Sequence, residues 1–355
     1  MLMFVVNLLY QRLGAIFMSR HQFIELFCLK NQTLSAVLLV GKLSKLICMV
    51  GEEKMKSILI TGAAGYIGSN LVKKLLKCHY KVCVVLRKET DACTLMDSWN
   101  NISVYYDEAT IQDFAEFMLQ KEVDCVIHLA THYVTYHKVD DIDRMLDSNI
   151  HFGTRLLEAM KIANINKIIY SRTSWQHYQN ELFNPVNLYA SMKQAFEDIM
   201  KYYTQAEGFY STTIEIYDTY GEYDPRNKIV NLMKKCNITK EWLNLSPGGQ
   251  KLDYLYIEDV VDAFLTSIYN LEIQKEKETE YALKSETLHS LKEVVETFEM
   301  AYNTKLNVEW GKFDYRPREV FIPYRGIPPL ASWKAKYSLY EGFCQMRKKE
   351  MEAEK

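Results

Sequence analysis

The run Thr61, Gly62, Ala63, Ala64, Gly65, Tyr66, Ile67, Gly68 constrains this chain more than any other stretch. Its three glycines follow a short apolar segment, 57–60. They precede a segment with Leu71/Leu75 and Val72/Leu76 four apart. Apolar positions four apart share a helix face, so the order reads strand, tight turn, helix. Glycine permits positive φ and a close backbone approach. A helix N-terminus adds unpaired N–H groups and a positive dipole end. Gly62, Gly65, Tyr66, Ile67 and Gly68 are therefore expected to cradle the pyrophosphate of a dinucleotide. A tight turn with incidental glycines is the plainer alternative.

The alternation continues. Strands are expected at 81–86, 102–106, 125–129, 167–170 and 212–217, and helices at 150–163 and 188–203. Strands alternating with helices predict an α/β fold: a Rossmann-type, doubly wound parallel sheet with helices on both faces. From about residue 220 the alternation weakens. Pro247, Gly248 and Gly249 mark a loop, and helical patterns return at 257–269 and 291–303. A smaller C-terminal α/β cap that binds substrate is expected there. The division is then 55–219 for the dinucleotide domain, 220–345 for a substrate region interleaved with the sheet, and 346–355 for a charged tail.

Residues 1–54 carry six basic and three acidic side chains, a bias the rest lacks. The opening apolar run is broken by Asn7, Gln11 and Arg12, short of the roughly 20 apolar residues that span a bilayer. It has no basic start, so it is a poor signal peptide. An extension outside the fold is expected, with an interfacial anchor as the alternative. Over the whole chain 43 basic residues face 45 acidic ones, which gives no general electrostatic case for nucleic acid or an anionic membrane. The eight cysteines form no C-x-x-C pair, so scattered reduced thiols and a cytoplasmic location are expected. No grouping has metal-ligand spacing, and no metal is expected.

Tyr189 and Lys193 form Y-x-x-x-K on the expected helix at 188–203, on one face. An ammonium beside a phenol favours the phenolate, which makes Tyr189 a usable acid/base toward a carbonyl or alcohol. Taken alone the pattern is common and fits a solvated helix face. Arg87 and Lys88 follow the strand at 81–86, where an NAD site usually places a carboxylate on the ribose 2′-OH. Arg87 would attract a 2′-phosphate. NADP(H) is therefore expected over NAD(H), with Glu89 or Asp91 meeting the ribose as the alternative.

These stretches together resemble the extended short-chain dehydrogenase/reductase family of nucleotide-sugar epimerases, dehydratases and reductases. The likeness runs from about residue 56 to 340. It includes His128, Leu129 and Ala130 at the end of the fourth strand, and Asn149 before Gly153 and Thr154. It implies that Leu129, Ala130 and Asn149 line the cofactor and that Lys193 also holds the nicotinamide ribose. Tyr189 would move the proton, and a hydroxyl after the fifth strand, Thr173 with Ser174 as fallback, would hold the substrate oxygen. Family dehydratases place Asp-Glu after that hydroxyl. Here Ser174 and Trp175 stand instead, so dehydration is not expected.

On the substrate side, Tyr220 and Gly221 with Asp224, Pro225 and Arg226 match the family's Y-G-P-x-D-x-R. Glu222 replaces the proline. Leu252 stands where relatives carry a phosphate-binding Arg, which leaves Lys251 as the substitute. Arg316 resembles the Arg that clamps the nucleotide diphosphate. A surface pair with Glu319 is its plainer alternative. His132, Tyr133, His137 and His177 are candidates to face the sugar. The segments at 175–178, 184–199 and 245–254 most resemble CDP-paratose and CDP-abequose synthases, which reduce a 4-keto group. A 4-epimerase with tightly held NAD and a non-catalytic dinucleotide-binding protein remain open. The resemblance also implies a homodimer through the helix bearing Tyr189, with Phe196 and Met200 as candidate contacts. Deleting residues 1–54 is expected to leave folding and activity intact. Insoluble or inactive protein would restore the anchor reading.

Overall fold

The computed structural model describes residues 56–353, so the expectation for residues 1–54 lies outside the described residues. The main sheet holds seven parallel strands in the order β11-β6-β5-β4-β1-β2-β3. They are β1 (Ser57–Thr61), β2 (Lys81–Leu86), β3 (Ile102–Tyr106), β4 (Val123–His128), β5 (Lys167–Thr173), β6 (Tyr210–Ile216) and β11 (Glu278–Ala282). Along β2 the side chains alternate. Val82, Val84 and Leu86 enter one core cluster, and Cys83 and Val85 the other. Continuous apolar runs are what a sheet covered on both faces requires. Helices α1 (Tyr66–Lys77) and α7 (Ile257–Ile273) cover the first face, with Leu71, Leu75, Val260 and Phe264 fully buried. Helices α2 (Ile111–Gln120), α4 (Phe152–Ile162) and α5 (Leu188–Ala206) cover the second.

Three departures from the expected pattern matter for the site. First, β5 continues past Tyr170. Ser171, Arg172 and Thr173 pair in register with Ile214, Glu215 and Ile216, so Thr173 ends the strand. Second, the helix expected at 150–163 begins earlier, as α3 (Ile142–Leu146), and passes through a π-helical turn, Asp147–His151, into α4. Third, β11 returns from the C-terminal region to pair with β6. Its sequence, Glu-Thr-Glu-Tyr-Ala, carries no strand signal because its side chains face partly into solvent at the sheet edge. Phe196 and Met200 are sealed in the second core cluster, so they are not available as dimer contacts; burial against α4 explains their apolarity.

The C-terminal region adds short pairs: β7 (Asp218–Tyr220) with β10 (Tyr254–Tyr256), β8 (Leu243–Leu245) with β13 (Val308–Trp310), and β9 (Lys251–Leu252) with β12 (His289–Ser290). It also adds helices α6 (Ile229–Thr239), α8 (Leu291–Tyr302) and α9 (Leu339–Ala353). The charged tail expected from residue 346 is helical up to Ala353. Within it Phe343 and Met346 are fully buried, and Phe343 meets Phe298 of α8 edge-on. Removing a buried phenyl ring costs about 3–5 kcal/mol. Phe343→Ala should lower unfolding free energy by that order in a urea titration. A loss below about 1 kcal/mol would show that α9 is not docked as described.

Candidate active site

The first turn after β1 is shaped by what a side chain would strike. Gly62 sits at φ +71°, and a Cβ there would lie 2.7 Å from the Ala130 nitrogen. A Cβ on Gly68 would lie 2.2 Å from the Gly62 oxygen, so the first turn of α1 rests directly on the loop. Gly65 caps α1 without a side chain, and no acidic residue occupies the first turn. The N–H groups of Tyr66, Ile67 and Gly68 are thus offered to an anion with the positive end of the helix dipole behind them. This cradle fits a pyrophosphate, and α1 is where a dinucleotide would be held.

Thr61 locks the cradle to β4. Its carbonyl oxygen accepts from the Leu129 N–H (3.2 Å), and its Oγ1 accepts from the Ala130 N–H (3.2 Å). Oγ1 also lies 2.7 Å from His128 Nδ1. The two atoms share a hydrogen bond whose direction follows the imidazole tautomer. Burial, and then Lys193, hold His128 down at about 3, so the ring is neutral at neutral pH. Tyr66 reaches from the cradle into the 220–226 segment. Gly221 leaves room for its hydroxyl, and the Arg226 guanidinium lies 4.7 Å from its ring centre.

Tyr189 and Lys193 project from α5, which Asn187 caps by accepting from the Ala190 N–H. Both are buried. Lys193 Nζ donates to the Ser171 carbonyl (2.9 Å) and stands 4.5 Å from the Tyr170 ring centre. Burial lowers Lys193 to about 7, against the pull of Glu197. The expected direct coupling of Lys193 to Tyr189 is not what acts on the phenol: the ammonium has turned to a backbone partner on β5. Burial raises Tyr189, while hydrogen bonding with Thr131 opposes the rise. Thr173 Oγ1 accepts from the Trp175 N–H (3.3 Å), which leaves its hydroxyl proton to donate.

Asn149, in the π-helical turn, braces the loop after β4. Its Oδ1 accepts from Thr131 Oγ1 and the His132 N–H, both at 2.8 Å, and its Nδ2 donates to the His132 oxygen (3.1 Å). Thr131 is the residue that sequence reasoning missed. It joins Asn149 to Tyr189 and directly follows Ala130, so the resemblance at 128–130 stopped one residue short of it.

Tyr133 lies edge-on to Tyr189 at 5.0 Å between ring centres, and Trp175 lies 6.0 Å beyond it. Two cations face this arc: Lys228, 5.3 Å from the Tyr133 ring, and Arg316, 5.4 Å from the Trp175 ring. Arg316 meets Glu319 only through its backbone N–H, so its guanidinium is not tied up in the surface pair. Arg87 follows β2, is exposed, donates to Ser148 Oγ (3.3 Å) and lies 3.7 Å from Glu89.

Several expected contacts fall elsewhere. Tyr220 is buried, its hydroxyl donates to the Leu339 oxygen (3.2 Å), and it packs on Tyr254, Tyr256 and Phe343, so it is a core residue and not a substrate contact. Lys251 is paired with Glu293 (3.0 Å), whose carboxylate takes up its charge at the start of α8. His177 is buried against Glu215 (2.8 Å) and the Tyr324 ring, and His137 is exposed.

The family model of the NAD dependent epimerase/dehydratase family matches residues 58–280. The CDP-abequose synthase of Yersinia pseudotuberculosis is 30% identical over 274 residues, covering 76% of this chain and 93% of that protein. The CDP-abequose synthase of Salmonella muenchen is 24% identical, covering 82% and 97%. Among solved structures, the Thermotoga maritima UDP-glucose 4-epimerase with UDP-glucose superposes with a TM-score of 0.71 at 21% identity, over 84% of this chain and 100% of that one, a likeness of fold. The chain belongs to the NAD-dependent epimerase/dehydratase family, resembles its CDP-abequose synthases, and is an NAD(P)-dependent enzyme of the extended short-chain dehydrogenase type.

Proposed function

We propose that this enzyme reduces the 4-keto group of a CDP-linked deoxy sugar. The observation that carries the reading is the buried Tyr189, whose phenol burial keeps protonated at neutral pH. A protonated phenol can serve as the acid that a newly reduced carbonyl oxygen needs. NADPH, when bound, supplies the hydride to the carbonyl carbon. Tyr189 gives its proton to the oxygen, so C=O becomes CH–OH. Thr173 donates to that oxygen while its own Oγ1 is held by Trp175. Lys193 holds the nicotinamide ribose, and Arg316 neutralises the diphosphate, with Lys228 shared between it and Asp218 (3.3 Å). The choice of a CDP sugar draws on the likeness to the two CDP-abequose synthases.

A 4-epimerase is the second reading, favoured by relatives such as the Lactobacillus helveticus UDP-glucose 4-epimerase, 23% identical over 60% of this chain. The two readings differ in stoichiometry: a reductase consumes one NADPH per sugar, whereas an epimerase keeps its NAD and consumes none. Our reading also takes the enzyme to be a cytoplasmic homodimer. No described helix is long and apolar enough to cross a membrane.

Replacing Tyr189 by Phe removes one hydroxyl and nearly conserves volume. Turnover of a CDP-4-keto sugar with NADPH should fall by about 10²–10⁴-fold. Retention of more than about a tenth would exclude Tyr189 as the acid. The 2′-phosphate preference is assigned to Arg87. A charge-assisted hydrogen bond is worth about 1.5–3 kcal/mol, or roughly ten- to a hundred-fold in affinity. Arg87→Asp should weaken NADPH binding by at least about tenfold and spare NADH. Equal losses for both cofactors, measured as dissociation constants, would mean that Arg87 does not read the phosphate.

A further inference from the structure

Behind the aromatic arc lies a buried ionic cluster that the mechanism above does not use. Arg172, on β5 next to Thr173, donates from Nε to Glu215 Oε2 (3.1 Å) and from Nη1 to Glu197 Oε2 (3.3 Å) and Glu280 (2.9 Å). His177 Nε2 meets the same Glu215 oxygen. Gln176, fully buried, accepts from the Thr173 N–H (3.3 Å). It donates to Glu197 Oε1 (3.0 Å) and Gln194 Oε1 (2.8 Å). Glu197 lies four residues beyond Lys193 on α5, one turn away on the same face.

One carboxylate therefore touches both halves of the reaction centre. Through Gln176 it reaches the backbone of Thr173, and along α5 it faces Lys193. The cluster gathers the buried Glu215 and Glu197 and the half-exposed Glu280 around one guanidinium, and burial of the first two makes surplus negative charge costly. An ammonium one turn away offsets that surplus. The groups around Lys193 are few. From β5 come the Ser171 carbonyl and the Tyr170 ring, from β4 the neutral His128, and from α5 itself Tyr189 and Glu197. Of these, Glu197 is the one carboxyl group, and Arg172 and its hydrogen bond from Gln176 oppose the rise that burial imposes on it.

We propose that Glu197, held by Gln176 and Arg172, is a positioning residue that keeps Lys193 charged and ties it to the Thr173 turn. This rests on the reading that Lys193 holds a nicotinamide cofactor. The sign follows directly. A carboxylate neighbour favours the ammonium, so its removal lets Lys193 lose its proton at lower pH. Affinity that depends on the ammonium then fades earlier as pH rises.

The test measures NADPH and NADH dissociation constants of the full chain from pH 5.5 to 9.5, without sugar. In Glu197→Gln the pH at which affinity is half lost should fall by about one unit or more. Gln176→Glu adds a carboxylate on the same side and should raise it. Gln176→Met cuts the bridge to Thr173 and leaves the charge. It should keep the midpoint and cofactor affinity while lowering turnover about tenfold. A purely structural cluster would lower melting temperature without moving the midpoint. An unmoved midpoint in folded Glu197→Gln overturns the proposal. If that variant does not fold, an unmoved midpoint in Gln176→Glu does so instead. Wild-type protein that binds neither cofactor at any pH overturns the cofactor reading and this inference together. Bound cofactor with an unmoved midpoint overturns this inference alone.

Discussion

The Thr61 hydroxyl is shared between the Ala130 N–H and the His128 imidazole, and through it the ends of β1 and β4 become one surface. Everything at the site hangs from that join. Gly62 is pressed so close to Leu129 and Ala130 that no side chain fits, and the first turn of α1 lies on Gly62 in turn. On the far side of the join, Thr131 and His132 are gripped by Asn149, and Thr131 meets Tyr189. The cradle and the acid are thus set against each other through the short side chains of Thr61, Thr131 and Asn149, without any long flexible side chain between them. A neutral His128 is part of this arrangement. A charged ring there would be buried close to the Lys193 ammonium.

Those parts of the fold that obey local rules were legible before any coordinates. The apolar run at 81–86 and the spacing of Leu71, Leu75 and Val72 announced a covered parallel sheet, and Gly62 and Gly68 announced the close approach that their geometry displays. What escaped was decided by tertiary pairing. The strand β11 is polar because it lies at an edge, and only its pairing with β6 makes it a strand. Arg172 continues β5 because Glu215 waits across the register with a countercharge. Tyr220 looked like a substrate contact because its neighbours match a motif. A motif does not say which face of a strand points inward, and here the phenol points into the core. Thr131 was missed for a related reason, since its role depends on Asn149, 18 residues later.

The C-terminal region reaches the cofactor side by an independent route. Glu222, which replaces a proline of the family pattern, accepts from the Tyr256 hydroxyl (2.7 Å) and from Lys349 of α9 (2.5 Å). Lys349 bridges on to Glu258 at the start of α7. Gly221, beside Glu222, makes room for Tyr66 of the cradle. A residue that breaks the family pattern therefore has a local partner, and that partner lies on a helix whose charged sequence had suggested a free end.

The pairing of β11 with β6 also bears on how the chain is made. Strand β6 is complete at Ile216, but its outer neighbour begins only at Glu278. A chain emerging from the ribosome therefore holds β6 with one edge open while the intervening residues are translated. During that interval Glu280, which in the finished fold supplies an acceptor to the guanidinium beside Glu215, has yet to be made. An open, partly formed parallel edge is a surface on which nascent chains pair wrongly with one another. The arrival of residues 278–282 closes the sheet and brings Glu280 to the arginine in a single event.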